Sequence, residues 1–245
     1  MSSNTYSMDA IATIRSCYSQ RFGIPRQPGL VESAVAAIEF EPTSDNELAL
    51  RDLGSFSHLW VVFVFHRQHY TRFKPLVQPP RLGGKTTMGV YATRSPNRPN
   101  PIGLSVVALR EVRFDKDRFR VFVDGGDFLD GTPVLDIKPY VTFVDAIPDA
   151  RSDWATPLQD GLEVTWAAEA LQRLNQVEPG NDLVTSGSLG LKSLIEQTLA
   201  QDPRPAHERG KDGKQGQQWG VMIGPVDVRF KVEGGIAIIE VVEAR

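Results

Sequence analysis

The chain has 245 residues, of which 41% are hydrophobic and 23% charged, and its formal net charge is −3. That composition buries an ordinary core, which excludes wholesale disorder, and the mild acidity argues against a generally basic nucleic-acid binder. No apolar run approaches the roughly 20 residues of a membrane helix. The N-terminus, MSSNTYSMDAIATIRSCYSQ, lacks a charged segment followed by an apolar one, so neither a secretory signal nor a membrane partner is expected. Cys17 is the single cysteine, which rules out an internal disulfide framework and fits a reducing cytoplasm.

The loop IPRQPGL (24–30) holds Arg26 and Gln27 between prolines. LWVVFVFH (59–66) is a near-continuous apolar run, read as a strand buried on both faces, although a helix fits the pattern too. His66 closes that run, and strand ends commonly carry site residues. His66 and His69 stand three apart, but no further ligand residue stands nearby at metal spacing, so no metal is expected. RLGGKTTMG (81–89) resembles the end of a phosphate loop. Pro79 replaces the first glycine and no helix pattern follows, so a Gly-Gly turn is the better reading.

MGVYAT (88–93), LSVVALREVRF (104–114) and RFRVFVDG (118–125) read as strands, the last two joined by a short hairpin at 115–117. No βαβ alternation is present, so a closed or strongly curved sheet is expected. DFLDGTPVLDIKPY (127–140) contains turn chemistry at Asp130-Gly131-Thr132-Pro133, either a plain β-turn or one that presents Asp130 and backbone groups to a ligand. From about Pro148 a polar linker leads to two helical patterns, 165–176 and 188–201, and then to two strands, GVMIGPVDVRF and GIAIIEVVE. The expected architecture is mainly β: a single-sheet β-barrel domain over residues 1–150 and a small C-terminal α+β domain over 151–245.

Charge is unevenly placed. Between Leu53 and Arg110 there is no carboxylate, and that span carries +8, leaving −11 for the rest of a chain whose total is −3. Within it, ATRSPNRPNPIGLS (92–105) fixes its backbone with Pro96, Pro99 and Pro101 around Arg94 and Arg98. Arginine is a planar fork suited to phosphate, carboxylate or a stacked base. The residues alone therefore predict a rigid-looped basic site for an anionic ligand, nucleic acid included, and name no reaction.

GVYATRSPNRPNPIGLS and LDGTPVLDIKPY, with PRQPG and FSHLWVVFVFH upstream and QDPRPAHERG near the C-terminus, resemble the TrmO (TsaA- or YaeB-like) family. Its members are S-adenosylmethionine-dependent tRNA methyltransferases. The resemblance implies a β-barrel catalytic domain, a homodimer, and methylation of N6 of N6-threonylcarbamoyladenosine beside the anticodon, notably in threonine tRNA. It implies cofactor contacts at Pro25, Arg26, Gln27, His66, Arg67, Arg94, Leu104, Leu129, Asp130, Gly131 and Thr132. Asp130 and His66 are the expected proton acceptors, and Arg98, Asn100, Lys85 and Arg204 the expected tRNA contacts. A non-catalytic RNA-binding module, or a methyltransferase for a small anionic molecule, are the competing readings.

Overall fold

The computed structural model describes residues 5–67, 73–82, 86–152, 154–155, 161–177, 190–205, 207–214 and 216–244. Six antiparallel strands close into a barrel: β1 (Ala12–Ser16), β2 (Ala36–Phe40), β3 (His58–Val64), β6 (Ile102–Phe114), β7 (Phe119–Asp124) and β8 (Thr132–Pro139). Their order around the wall is β1-β2-β7-β6-β3-β8, with β1 and β8 paired to close the ring. Closure leaves no edge strand open to aggregation. A short helix, α1 (Ser44–Ala49), is capped by the Thr43 side chain and links β2 toward β3. A two-stranded flap, β4 (Leu76–Val77) and β5 (Met88–Gly89), lies between β3 and β6.

Strand β3 alternates in burial rather than being covered on both faces, because one face fills the barrel and the other carries Trp60, Val62 and Val64. Ile14, Ile38, Leu59, Val61, Val121, Phe128 and Val134 form the barrel core. The segment expected to be a strand at 88–93 is one only at Met88–Gly89; Val90–Ala92 then turns into a 3₁₀ helix. Buried Val90 anchors that turn, and the Thr93 hydroxyl donates to the Val90 carbonyl at 2.8 Å, which competes with continued pairing.

Gly103 shows how tightly the barrel mouth is packed. A Cβ placed there would lie 2.2 Å from Cζ of Phe63, its cross-strand partner. Phe63 cannot swing away, since Phe65 and Phe128 pack edge-on against it at 5.1 and 5.2 Å. Gly103→Ala should therefore destabilise the fold by about 1–3 kcal/mol, as overpacked cores do, read as a melting temperature lowered by several degrees.

The chain continues through α2 (Thr142–Asp145) to a second sheet of order β10-β11-β12-β9. Its strands are β9 (Glu163–Trp166), β10 (Trp219–Ile223), β11 (Val226–Glu233) and β12 (Ile236–Ala244), with helices α3 (Ala168–Leu174) and α4 (Gly190–Ala200). The helical pattern expected from residue 165 starts later, because Thr165 and Trp166 pair in parallel with Ile238 and Ile239. Helix α4 buries Leu194, Ile195 and Leu199, the face expected from its spacing.

This sheet packs against the barrel's N-terminal loop. Cys17, Tyr18, Val31 and Ala34 belong to the same buried cluster as Val221, Val228 and Phe230. The Tyr18 hydroxyl meets the Thr198 hydroxyl at 3.1 Å, and the Gly224 amide donates to the Cys17 carbonyl at 2.7 Å. Gly23, at φ +98°, sits where a Cβ would be 2.6 Å from Val221. The sheet thus braces the loop that carries Pro25, Arg26 and Gln27.

Candidate functional site

A cavity of about 480 Å³ opens where β3 and β7 end and β6 and β8 begin. Four segments build it: the 24–27 loop, the end of β3 with His66 and Arg67, the proline-rich loop into β6, and the turn into β8. Nine of the expected cofactor contacts line it: Pro25, Arg26, Gln27, His66, Arg67, Arg94, Leu104, Leu129 and Thr132. They come from positions more than 100 residues apart in the sequence. Arg94 Nη1 donates to the Gln27 side-chain oxygen and so ties the proline-rich loop to the 24–27 loop.

Asp130 and Gly131 sit in the same turn, between Leu129 and Thr132, but are not among the residues that line the cavity wall. The Asp130 carboxylate accepts from Arg15 Nη1 at 3.2 Å and from the Ser16 amide at 3.0 Å. The Asp130 and Gly131 amides donate to the Tyr18 and Ile14 carbonyls, each at 2.8 Å. The turn's polar groups therefore fasten it to β1. Gly131 holds φ +78°, the left-handed conformation that favours glycine at this turn.

The carboxylate on the wall is Asp127, which sequence reasoning passes over. It accepts a 2.7 Å hydrogen bond from the Ser105 hydroxyl. Burial pushes its pKa up to about 6, countered in part by the Ser105 bond and the charge of Arg94. Two glycines precede it, and neither spacing nor period marks it in the sequence; in FVDGGDFL it is one of two aspartates flanking a Gly-Gly pair, with nothing to set it apart from Asp124. Ser105, Thr93, Trp60 and Phe65 also line the wall. His66 sits opposite Thr132, 3.5 Å between Nδ1 and the hydroxyl. Burial and then the Arg67 charge hold its pKa below the usual imidazole value, so it is neutral at pH 7.

The expected tRNA contacts fare differently. Arg98 lines the cavity, but its Nη1 donates inward to the Thr93 carbonyl at 2.8 Å and to those of Val90 and Ser95 at 3.4 Å. It staples its own loop. Arg98→Ala should therefore weaken methyl-donor binding through a loosened loop while leaving the salt dependence of RNA binding nearly unchanged, measured by titration at several salt concentrations. Asn100 is exposed beside the loop, and its carbonyl accepts from the Ile102 amide at 2.7 Å. Arg204 is 1% exposed, held by Asp202 at 2.7 and 2.8 Å and lying 5.1 Å from the Trp219 ring centroid. That burial replaces the expected phosphate contact with a structural one. Lys85 and His69 lie outside the described residues.

Cys17 is buried and its thiol is pushed up to about 12, so it stays protonated and unreactive. A second depression, of about 570 Å³, is lined by Ser19, Gln20, Met222, Asp227, Glu243 and Ala244. Its carboxylates do not suit an anionic ligand.

Two family models together match most of the chain. The tRNA-methyltransferase O N-terminal domain covers residues 13–146, and the TrmO C-terminal domain covers 159–245. The chain belongs to the TrmO family. It is 40% identical over 231 residues to the tRNA (adenine(37)-N6)-methyltransferase of Escherichia coli (strain K12), covering 94% of each chain. It is 46% identical over 190 residues to the enzyme of the same name from Eikenella corrodens, covering 78% of this chain and 98% of that one. A crystal structure of TrmO from Pseudomonas aeruginosa superimposes with a TM-score of 0.78 at 33% identity, over 98% of this chain and 99% of that one. Another TrmO crystal structure gives 0.77 at 35% identity, over 98% and 100%. The barrel and the second sheet are thus both TrmO elements.

Proposed function

We propose that this TrmO chain transfers a methyl group from S-adenosylmethionine to N6 of adenine 37 in tRNA, the adenine that carries a threonylcarbamoyl group. The observation that carries the reading is the convergence of Pro25–Gln27, His66–Arg67, Arg94, Leu129 and Thr132 on one cavity. The cavity falls within the ~300–1,000 Å³ typical of small-ligand sites. Leu104, Leu129, Phe65 and Ile24 offer apolar surface for a purine and a thioether, and Arg26, Gln27, Arg94 and Asp127 offer polar partners. When bound, the cofactor supplies an electrophilic methyl group on a sulfonium.

The protein's own task is then alignment and proton removal. The acceptor nitrogen carries a proton that has to leave, and Asp127 accepts it. With a pKa of about 6, Asp127 is ionised at neutral pH yet more basic than an ordinary carboxylate. Ser105 fixes the orientation of the carboxylate. Neutral His66 donates or accepts a hydrogen bond without adding charge. Arg67 and Arg94 offer cationic partners to the threonyl carboxylate and the anticodon-loop phosphates.

In this reading residues 1–150 carry the transfer and residues 151–245 assist tRNA binding, partly by bracing the 24–27 loop. The enzyme works in the cytoplasm as a homodimer. Phe143 and Val144 on α2 and Ile147 just after it support that assembly, since each is an exposed apolar side chain that a second copy would cover. Among the described residues no helix is long and apolar enough to cross a membrane. Calorimetric titration tests the site: S-adenosylmethionine should bind at one site per chain. RNA retention without cofactor binding would instead mark a non-catalytic RNA-binding module.

A further inference from the structure

One exposed feature lies outside the cavity and is used by none of the roles above. Tyr91 is 72% exposed and Phe73 is 40% exposed, and their rings stack with centroids 6.4 Å apart at 29°. A tyrosine so open on a protein surface is normally free to turn. This one stands on pinned backbone. The buried Val90 side chain anchors the residue before it, and the Val90 amide donates to the Pro75 carbonyl at 2.9 Å. On the other side the Thr93 hydroxyl and Arg98 Nη1 both donate to the Val90 carbonyl. The Arg98 guanidinium lies 5.8 Å from the centre of the Tyr91 ring.

The surroundings favour one kind of partner. Phe73 and Tyr91 both fall in the span without carboxylates, next to Lys74 and Arg94. Thr93 and Arg94, two and three residues past Tyr91, line the cavity. A flat aromatic pair on a cationic surface, a few residues from the methyl-transfer site, matches an unpaired base followed by its phosphate. A protein partner would favour a larger apolar face and would leave those cations unmatched.

We infer that Tyr91, backed by Phe73 and Arg98, is a stacking platform for an unpaired nucleobase flanking adenine 37 of the substrate tRNA. The inference rests on the tRNA-methylating reading and names how that RNA is held. Reaching N6 requires an anticodon-loop base to leave its neighbours, and a fixed ring beside the site replaces the lost stacking.

The test has two arms. In kinetics, Tyr91→Ala should raise KM for tRNA about tenfold, while kcat and the Kd for S-adenosylmethionine stay near wild type. Tyr91→Phe keeps the ring and should restore KM. In binding, an anticodon stem-loop with 2-aminopurine beside position 37 should lose fluorescence on the wild-type protein but much less on Tyr91→Ala. Unchanged KM and equal quenching in the alanine variant would overturn the platform. So would a changed assembly mass in that variant, which would make Tyr91 part of a protein interface. Because the stem-loop arm needs no methyl transfer, wild-type protein that quenches but does not methylate would remove the enzymatic reading and leave the platform standing.

Discussion

Arg94→Ala should lower kcat/KM for tRNA methylation on the order of 100-fold while the protein melts within a few degrees of wild type. Arg94 is exposed, so its loss leaves the barrel core intact. What it does is local. It joins the proline-rich loop to Gln27, and its charge helps keep Asp127 ionised. Losing a charged hydrogen-bond partner at a site costs roughly 1.5–3 kcal/mol, or about 10- to 100-fold. Arg94→Lys should recover little, because an ammonium lacks the planar fork that reaches Gln27 and the ligand together. Near-normal turnover in the alanine variant would show that the cavity is not where the chemistry happens.

Asp127→Asn should cost more, about 10²- to 10⁴-fold in kcat, the range for a lost general base. The pH dependence separates this from unfolding. In the wild type, kcat should rise with pH through about 6, where Asp127 gives up its proton. The variant should lose that rising limb and be flat there. Stability should move the other way. A carboxyl raised above its unfolded value, roughly 4, favours the protonated folded state, so the wild type loses stability as pH climbs from about 4 to about 6. An asparagine side chain has no such proton to lose, so the variant should be at least as stable as wild type at pH 7. A slow yet stable enzyme with a flattened pH profile is the expected outcome. A destabilised variant that keeps the rising limb would assign Asp127 to structure.

Much of this site can be read in the sequence because its residues sit in runs with unusual composition. The prolines around Arg94, the PRQPG loop and the Asp130-Gly131-Thr132 turn all stand out locally, and their segments do meet in space. The closure of β1 on β8 does not stand out, since pairing Ile14 with Thr132 joins residues that no local period relates. Roles within the loops are less legible than the loops themselves. Arg98 and Arg204 look alike in sequence to any phosphate-binding arginine, but the Thr93 carbonyl five residues back makes one a loop staple, and the Asp202 carboxylate two residues back holds the other in a buried pair. Turn chemistry makes Asp130 more conspicuous than Asp127. Which carboxylate faces the cavity depends on Arg15 and Ser16 capturing one and Ser105 orienting the other. In the 88–93 stretch, β-branched and aromatic residues suggest a longer strand. Burial of Val90 and the Thr93 hydroxyl decide for a tight turn, which is what lifts Tyr91 outward.

The most direct measurement is mass spectrometry of nuclease-digested tRNA after incubation with the protein and S-adenosylmethionine, using tRNA with and without the threonylcarbamoyl group. One added methyl group is expected on the modified adenosine at position 37, and none on tRNA lacking the modification. A methyl group at another nucleoside, or no gain in mass on the modified tRNA, would contradict the assignment of this cavity to methyl transfer.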